Sequence, residues 1–193
     1  MEHKEDKRVR RSKKRLRQAL ARLMQQKAFP SITVTDVVRE ADLNRGTFYA
    51  HYHDIDDMRA QIENELLSDF RALLGAERLT SVTVLKPVLE RAADYVQEQR
   101  ELFMVLLHDG RYEGFAQKLT RLLEDWRTAS VPYRGVEDAY VARFAATGVV
   151  GVIERWVTEP QPLPKHELIA LLEQILLPML RHRREKKHPA YRY

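Results

Sequence analysis

Apolar residues return every three or four positions along most of this chain, the period of α-helices that bury one face. Leu16, Leu20, Leu23 and Met24 predict a first helix over about 8–28. The stretch AFPSIT breaks the period at Phe29 and Pro30, and Thr33-Val-Thr-Asp36 then reads as a capping-box variant opening a second helix. Val37, Val38 and Ala41 form its inward face. Asp42-Leu43-Asn44 makes a short turn, and Asn44 can cap a third helix from Arg45. From Ile55 the positions Met58, Ile62, Leu66, Phe70 and Leu73 carry a fourth helix to a stop at Gly75. Five more helices are predicted over about 84–99, 101–108, 112–129, 137–158 and 165–182, separated by breaks such as Asp109-Gly110 and SVPYRG. Val82 to Leu85 is locally β-branched, but four residues without a partner strand make no sheet. The pattern therefore predicts an all-α protein of about nine helices.

Charge divides the chain more sharply than hydropathy does. Residues 1–53 hold 13 Lys or Arg against 6 Asp or Glu, residues 54–180 hold 14 against 21, and residues 181–193 hold 6 against 1. A basic N-terminal part on an acidic body suits a polyanionic partner, because phosphate contacts dominate nucleic-acid affinity. The chain has no cysteine, so disulfides and thiolate zinc sites are excluded, which suits a reducing cytosol. The charged start MEHKEDKRVRRSKKR and the lack of any long apolar run predict a cytoplasmic protein with no membrane association. The expected organisation is a three-helix module over 8–60, a helical bundle over 61–185, and mobile tails at 1–7 and 186–193.

The segment TVTDVVREADLNRGTFYAHY, Thr33 to Tyr52, carries the functional signal. Two short capped helices flank a tight turn, the outline of a helix-turn-helix. Gly46 near the start of the second helix costs about 1 kcal/mol in helix propensity, and lets a backbone approach DNA closely. Arg45 can reach a guanine edge bidentately, and Thr47 a thymine methyl or a phosphate. Tyr49, His51 and Tyr52, with Thr33 and Thr35 at the start of the second helix, are candidates for phosphate contacts that fix register. Asn44, as the cap, completes the predicted DNA-binding set.

This segment resembles the DNA-binding module of the tetracycline-repressor (TetR) family, in Asp36, Val37 and Ala41 on helix 2 and in Arg45-Gly46-Thr47-Phe48-Tyr49-Ala50-His51-Tyr52 as recognition helix. The match covers roughly residues 8–60. It implies a dimeric repressor that leaves a palindromic operator on double-stranded DNA when a small-molecule effector binds. Two departures stand out. Asp42 occupies a turn position where the family usually has glycine, which Asp tolerates because it enters the left-handed region more readily than most residues. Ile55 stands where the family commonly has a lysine for a phosphate contact; the basic stretch Arg10 to Arg17, or an N-terminal arm, is expected to compensate.

For the acidic body the resemblance implies an effector cavity, with Phe70, Tyr95, Phe103, Met104, Trp126 and Phe144 as wall candidates. Broad apolar faces on the last two helices predict a four-helix interface between two copies, with Tyr140, Gly148, Val152, Trp156, Leu168, Leu172 and Ile175 as contact candidates and Gly148 and Gly151 permitting close approach. Two other readings compete with this one. The basic ends, Arg8 to Arg17 and Arg181 to Arg192, would suit RNA or a membrane surface. His108-Asp109 is reminiscent of metal-dependent hydrolases, but it has no companion histidines at ligand spacing, and His51 and His53 point in different directions on a helix. No catalytic residue, metal site or cofactor is therefore expected.

Overall fold

The computed structural model describes residues 2–75, 82–108, 114–130 and 135–185. Nine α-helices and no strand occur among them: α1 Glu2–Gln26, α2 Val34–Glu40, α3 Arg45–Tyr49, α4 Ile55–Gly75, α5 Val82–Glu98, α6 Arg100–His108, α7 Phe115–Ser130, α8 Val136–Thr158 and α9 Lys165–Glu185. A single 3-10 turn, Phe29–Ser31, separates α1 from α2, where Pro30 supplies a fixed φ at the first turn. The first helix starts six residues before its expected beginning, so the expected N-terminal tail is helical from Glu2. Nothing in EHKEDK breaks a helix, since it lacks glycine and proline and its residues have adequate helix propensity. The expected C-terminal tail, 186–193, and Asp109 lie outside the described residues.

Contacts divide the chain into two compact units that interleave: residues 1–69 with 99–116, and residues 70–98 with 117–193. A single cut near residue 60 does not describe this division, because α6 returns to pack on α1. In the first unit, α1 buries Leu16, Ala19, Leu20 and Leu23, and α2 contributes Val37 and Val38. Phe48 from α3 and Met58, Ile62 and Leu66 from α4 complete that core. On α6, Leu102, Phe103, Leu106 and Leu107 are buried, and Phe103 meets Phe115 edge to face at 5.5 Å. These apolar surfaces supply the main driving force for a unit whose α2 and α3 are too short to hold a helical form alone.

The second unit is built on α5, α8 and α9, which pack on one another. Leu85, Val88, Ala93 and Val96 of α5 are buried, as are Ala142, Ala146, Val150 and Ile153 of α8 and Leu168, Ile169 and Leu172 of α9. Lys165 at the start of α9 pairs with Asp94 of α5 at 2.5 Å. Trp126 donates its indole N–H to the Leu74 carbonyl at 2.7 Å, and Trp156 donates to the Leu163 carbonyl at 2.8 Å. Both large rings thus bury apolar area without leaving a polar atom unsatisfied.

Candidate nucleic-acid interface

The geometry of the helix-turn-helix is set by its two caps. Thr33 closes a reciprocal capping box at the start of α2: its hydroxyl accepts from the Asp36 N–H at 3.2 Å, while the Asp36 carboxylate accepts from the Thr33 N–H at 3.0 Å and its hydroxyl at 2.7 Å. The Lys27 ammonium, 2.6 Å from Asp36, is the main reason this carboxyl is held well below the usual carboxylate range. At α3 the Asn44 side chain accepts from the Thr47 N–H at 2.7 Å and from its hydroxyl at 3.0 Å. Expected contact residues therefore double as the devices that start each helix.

Between the helices, Asp42 adopts φ 49°, the left-handed value that its short polar side chain tolerates. Arg15 of α1 holds this turn, donating to the Asp42 carboxylate at 2.9 Å and its carbonyl at 3.1 Å. Sequence reading did not find this role for Arg15, because 27 residues separate the partners and no local pattern links them. Arg45, exposed at the start of α3, donates to the Thr35 hydroxyl at 2.6 Å, which ties the outer starts of α2 and α3 together. Gly46 is exposed as well, and a β-carbon there would stand 3.3 Å from Asn44 Oδ1, tighter than ordinary contact. Gly46 thus leaves room for the Asn44 cap.

The last turn of this module departs from the expectation. Tyr49 is exposed, as a phosphate-contacting residue needs to be. Tyr52, expected beside it, is only 2% exposed, four residues after Phe48 and packed 5.7 Å from its ring. It belongs to the core and cannot present its tip to phosphate, and burial pushes its hydroxyl up to about 12. His51 is half-buried, with Nε2 2.8 Å from Ser12 Oγ. Because the Ser12 hydroxyl donates to the Val9 carbonyl at 2.9 Å, the histidine nitrogen must be the donor. Burial, then the charge on Lys13, lowers the His51 pKa from its ordinary value. His51 thus fastens α1 to the end of the recognition segment instead of pointing freely outward.

Ile55 has a plain structural reason: at 9% exposed it is part of the core. The acidic residues around it start α4, since Asp54 accepts from the Asp57 N–H at 2.7 Å and Asp57 from the His53 N–H at 2.9 Å. The basic stretch of α1 is only partly available for compensation. Arg15 is spent on Asp42, Arg17 lies 2.6 Å and Lys13 3.7 Å from Glu65, and Arg22 lies 2.6 Å from Glu40. Lys7, Arg10, Arg11 and Lys14 share the opposite, exposed face at helical spacing and form no ion pair among the described residues.

In the second unit, Phe70 and Trp126 line a cavity of about 80 Å3 together with Leu85, Val88, Val149 and Trp156. Tyr95 packs edge-on against Phe70 at 6.2 Å without lining that cavity. The other wall candidates do not hold: Phe103 and Met104 belong to the first unit, and Phe144 is 68% exposed. Of the proposed contact residues, Trp156, Leu168 and Leu172 are buried within the second unit and serve its own core. Tyr140 and Ile175 are exposed, Val152 is half-buried, and a β-carbon on Gly148 or Gly151 would meet open space. No group of three His, Asp or Glu residues gathers as a metal site among the described residues, and no described helix is long and apolar enough to cross a membrane.

A capped helix, a clamped three-residue turn and a second capped helix with exposed Arg45 and Tyr49, set in an all-α chain, define a helix-turn-helix DNA-binding protein. Residues 16–62 match the bacterial regulatory proteins of the tetR family, and residues 84–177 match the transcriptional regulator C-terminal region of the same group. The chain belongs to the TetR family of transcriptional regulators. It is 22% identical over 143 residues to an uncharacterized HTH-type transcriptional regulator of Haemophilus influenzae, spanning 70% of each chain. Among solved structures it is similar to a TetR-like transcriptional regulator from Rhodococcus sp. RHA1, at TM-score 0.68 and 18% identity, over 88% of this chain and 95% of that one. A TetR-family regulator from Syntrophomonas wolfei gives TM-score 0.68 at 11% identity, over 87% and 94%. The function is regulation of transcription by binding DNA.

Proposed function

We propose that this regulator is a dimeric, cytoplasmic repressor that binds a palindromic operator and leaves it when a small molecule occupies the second unit. The observation that carries the DNA reading is the pair Arg45 and Thr47, presented at the Asn44-capped start of α3 with Arg45 steadied by Thr35. In this reading Arg45 addresses a guanine and the Thr47 methyl a thymine, because its hydroxyl already donates to Asn44. Tyr49 and the helix starts at Thr33 and Thr35 take phosphates; Thr35 accepts from Arg45 and keeps its own proton for a phosphate oxygen. Operators selected from random duplexes should yield inverted repeats with half-sites about 34 Å apart, one turn of DNA, or somewhat more. Arg45→Ala is expected to cost about 1–3 kcal/mol of operator affinity and to relax one base position per half-site. Equal affinity of the unaltered protein for any duplex would defeat the reading.

The Lys7, Arg10, Arg11 and Lys14 face supplies the phosphate charge that Ile55 does not. Replacing Arg10, Arg11 and Lys14 by alanine is expected to flatten the plot of log affinity against log salt by about 0.9 for each phosphate no longer neutralised, with base preference unchanged. An unchanged slope would remove this face from the interface. The dimer reading rests on α8, where Val136, Tyr140 and Phe144 stand exposed at four-residue spacing, opposite the buried stripe of Ala142, Ala146, Val150 and Ile153. Gly148 and Gly151 continue the exposed stripe, and Leu171 and Ile175 of α9 are also exposed. Such a face suits a second copy of the same helix pair.

A further inference from the structure

We infer that the second unit takes up a small, uncharged, hydrocarbon-like molecule, an aromatic ring or a short alkyl chain, as its ligand. The inference rests on the reading of that unit as effector-binding and adds the chemical class. Beside the cavity of about 80 Å3 lies a second of about 70 Å3, and the two share Leu85, Leu123, Trp126, Val149 and Leu176 as walls. Together they approach the scale of an engineered apolar cavity of about 150 Å3 that stays dry and takes up benzene or xenon. Every residue described around the larger cavity is apolar or aromatic. Its two polar handles are already used, since the indole N–H groups of Trp126 and Trp156 donate to the carbonyls of Leu74 and Leu163. A ligand with hydroxyl, amide or carboxylate groups would lose hydration there and find no donor in return. Arg127, 6% exposed, borders the smaller cavity and not the larger one, so the wall around the two tryptophans holds no charged side chain. An apolar guest loses nothing of this kind and restores the dispersion contacts that a void forfeits.

The chain has two tryptophans and both line the larger cavity, so intrinsic fluorescence reports its occupancy directly. Titrating the full chain with toluene is expected to change that fluorescence saturably and to raise the melting temperature, whereas benzoate, the same ring bearing a carboxylate, does neither. Ala92→Leu fills the wall of the larger cavity and is expected to weaken toluene binding about tenfold or more by overpacking. Val149→Ile is the gentler filling variant, and helicity and operator binding report whether each variant is folded. No saturable change with toluene, binding of benzoate as tight as that of toluene, or full toluene affinity in both folded variants would overturn the inference. The effector reading fails separately: toluene that binds this unit without shifting operator affinity overturns that reading and leaves the ligand class standing.

Discussion

Changing Tyr140 and Phe144 together to glutamate is expected to leave a folded monomer that has lost most of its operator affinity. Both side chains are about 70% exposed in the single chain, at 72% and 68%, so the substitution takes nothing from the second unit's own core. Exposed substitutions of this kind typically change stability by no more than about 0.5 kcal/mol. In a dimer the same residues would bring four carboxylates into an apolar seam, where desolvation and like-charge repulsion oppose association. A palindromic operator is held through two recognition helices, and joining them gains about a hundredfold to ten-thousandfold over one module alone. Sedimentation equilibrium on wild type and variant, with titrations on a full operator and on a half-site, separates the effects. The variant should bind the half-site normally. A wild-type monomer at micromolar concentration would defeat the dimer reading, and a variant that stays dimeric would place the interface elsewhere.

Phe48→Ala is the second large effect, and it acts on stability. Phe48 is fully buried, with Tyr52 at 5.7 Å and Tyr49 at 5.5 Å. Removing a buried phenyl ring costs about 3–5 kcal/mol, a large part of the roughly 5–15 kcal/mol that holds an ordinary domain together. A five-residue helix such as α3 has no independent stability, so Arg45 and Thr47 keep their geometry only while this ring anchors them. DNA binding should therefore fall although no DNA-facing residue has changed. Chemical denaturation followed by helical circular dichroism measures the loss, and Tyr49→Ala, on an exposed ring, should change stability by less than about 0.5 kcal/mol. A Phe48→Ala protein as stable as the parent would contradict the core assignment.

The parts of the site legible in the sequence are those whose cause is local. Thr33 with Asp36, Asn44 with Thr47, and the left-handed Asp42 all depend on residues within three positions of one another. The side-chain directions at the end of the recognition segment were less legible. Tyr52 shares a face with Phe48 by helical spacing, which points it inward, yet its polar tip invited assignment to the surface. The same difficulty affected the second unit, where an apolar side chain serves a core, a cavity or an interface equally well on composition. Phe144 proved exposed, Trp156 and Leu172 buried, and Phe103 part of the other unit.

Helix order, the two caps, the tight turn and the basic character of the N-terminal part follow from the sequence by itself, because periodicity, capping and charge act over a few residues. Only tertiary structure decided which cations are spent and which are available. Arg15 reaches Asp42 across 27 residues and Arg17 reaches Glu65 across 48, leaving Lys7, Arg10, Arg11 and Lys14 on the outer face. It likewise decided that His51 ties down α1, that Tyr52 is core, and that the two tryptophans close a cavity with their N–H groups turned to backbone carbonyls. The reason is physical: pairing and burial depend on which surfaces meet in space, and residues far apart in the chain meet only once the helices have packed.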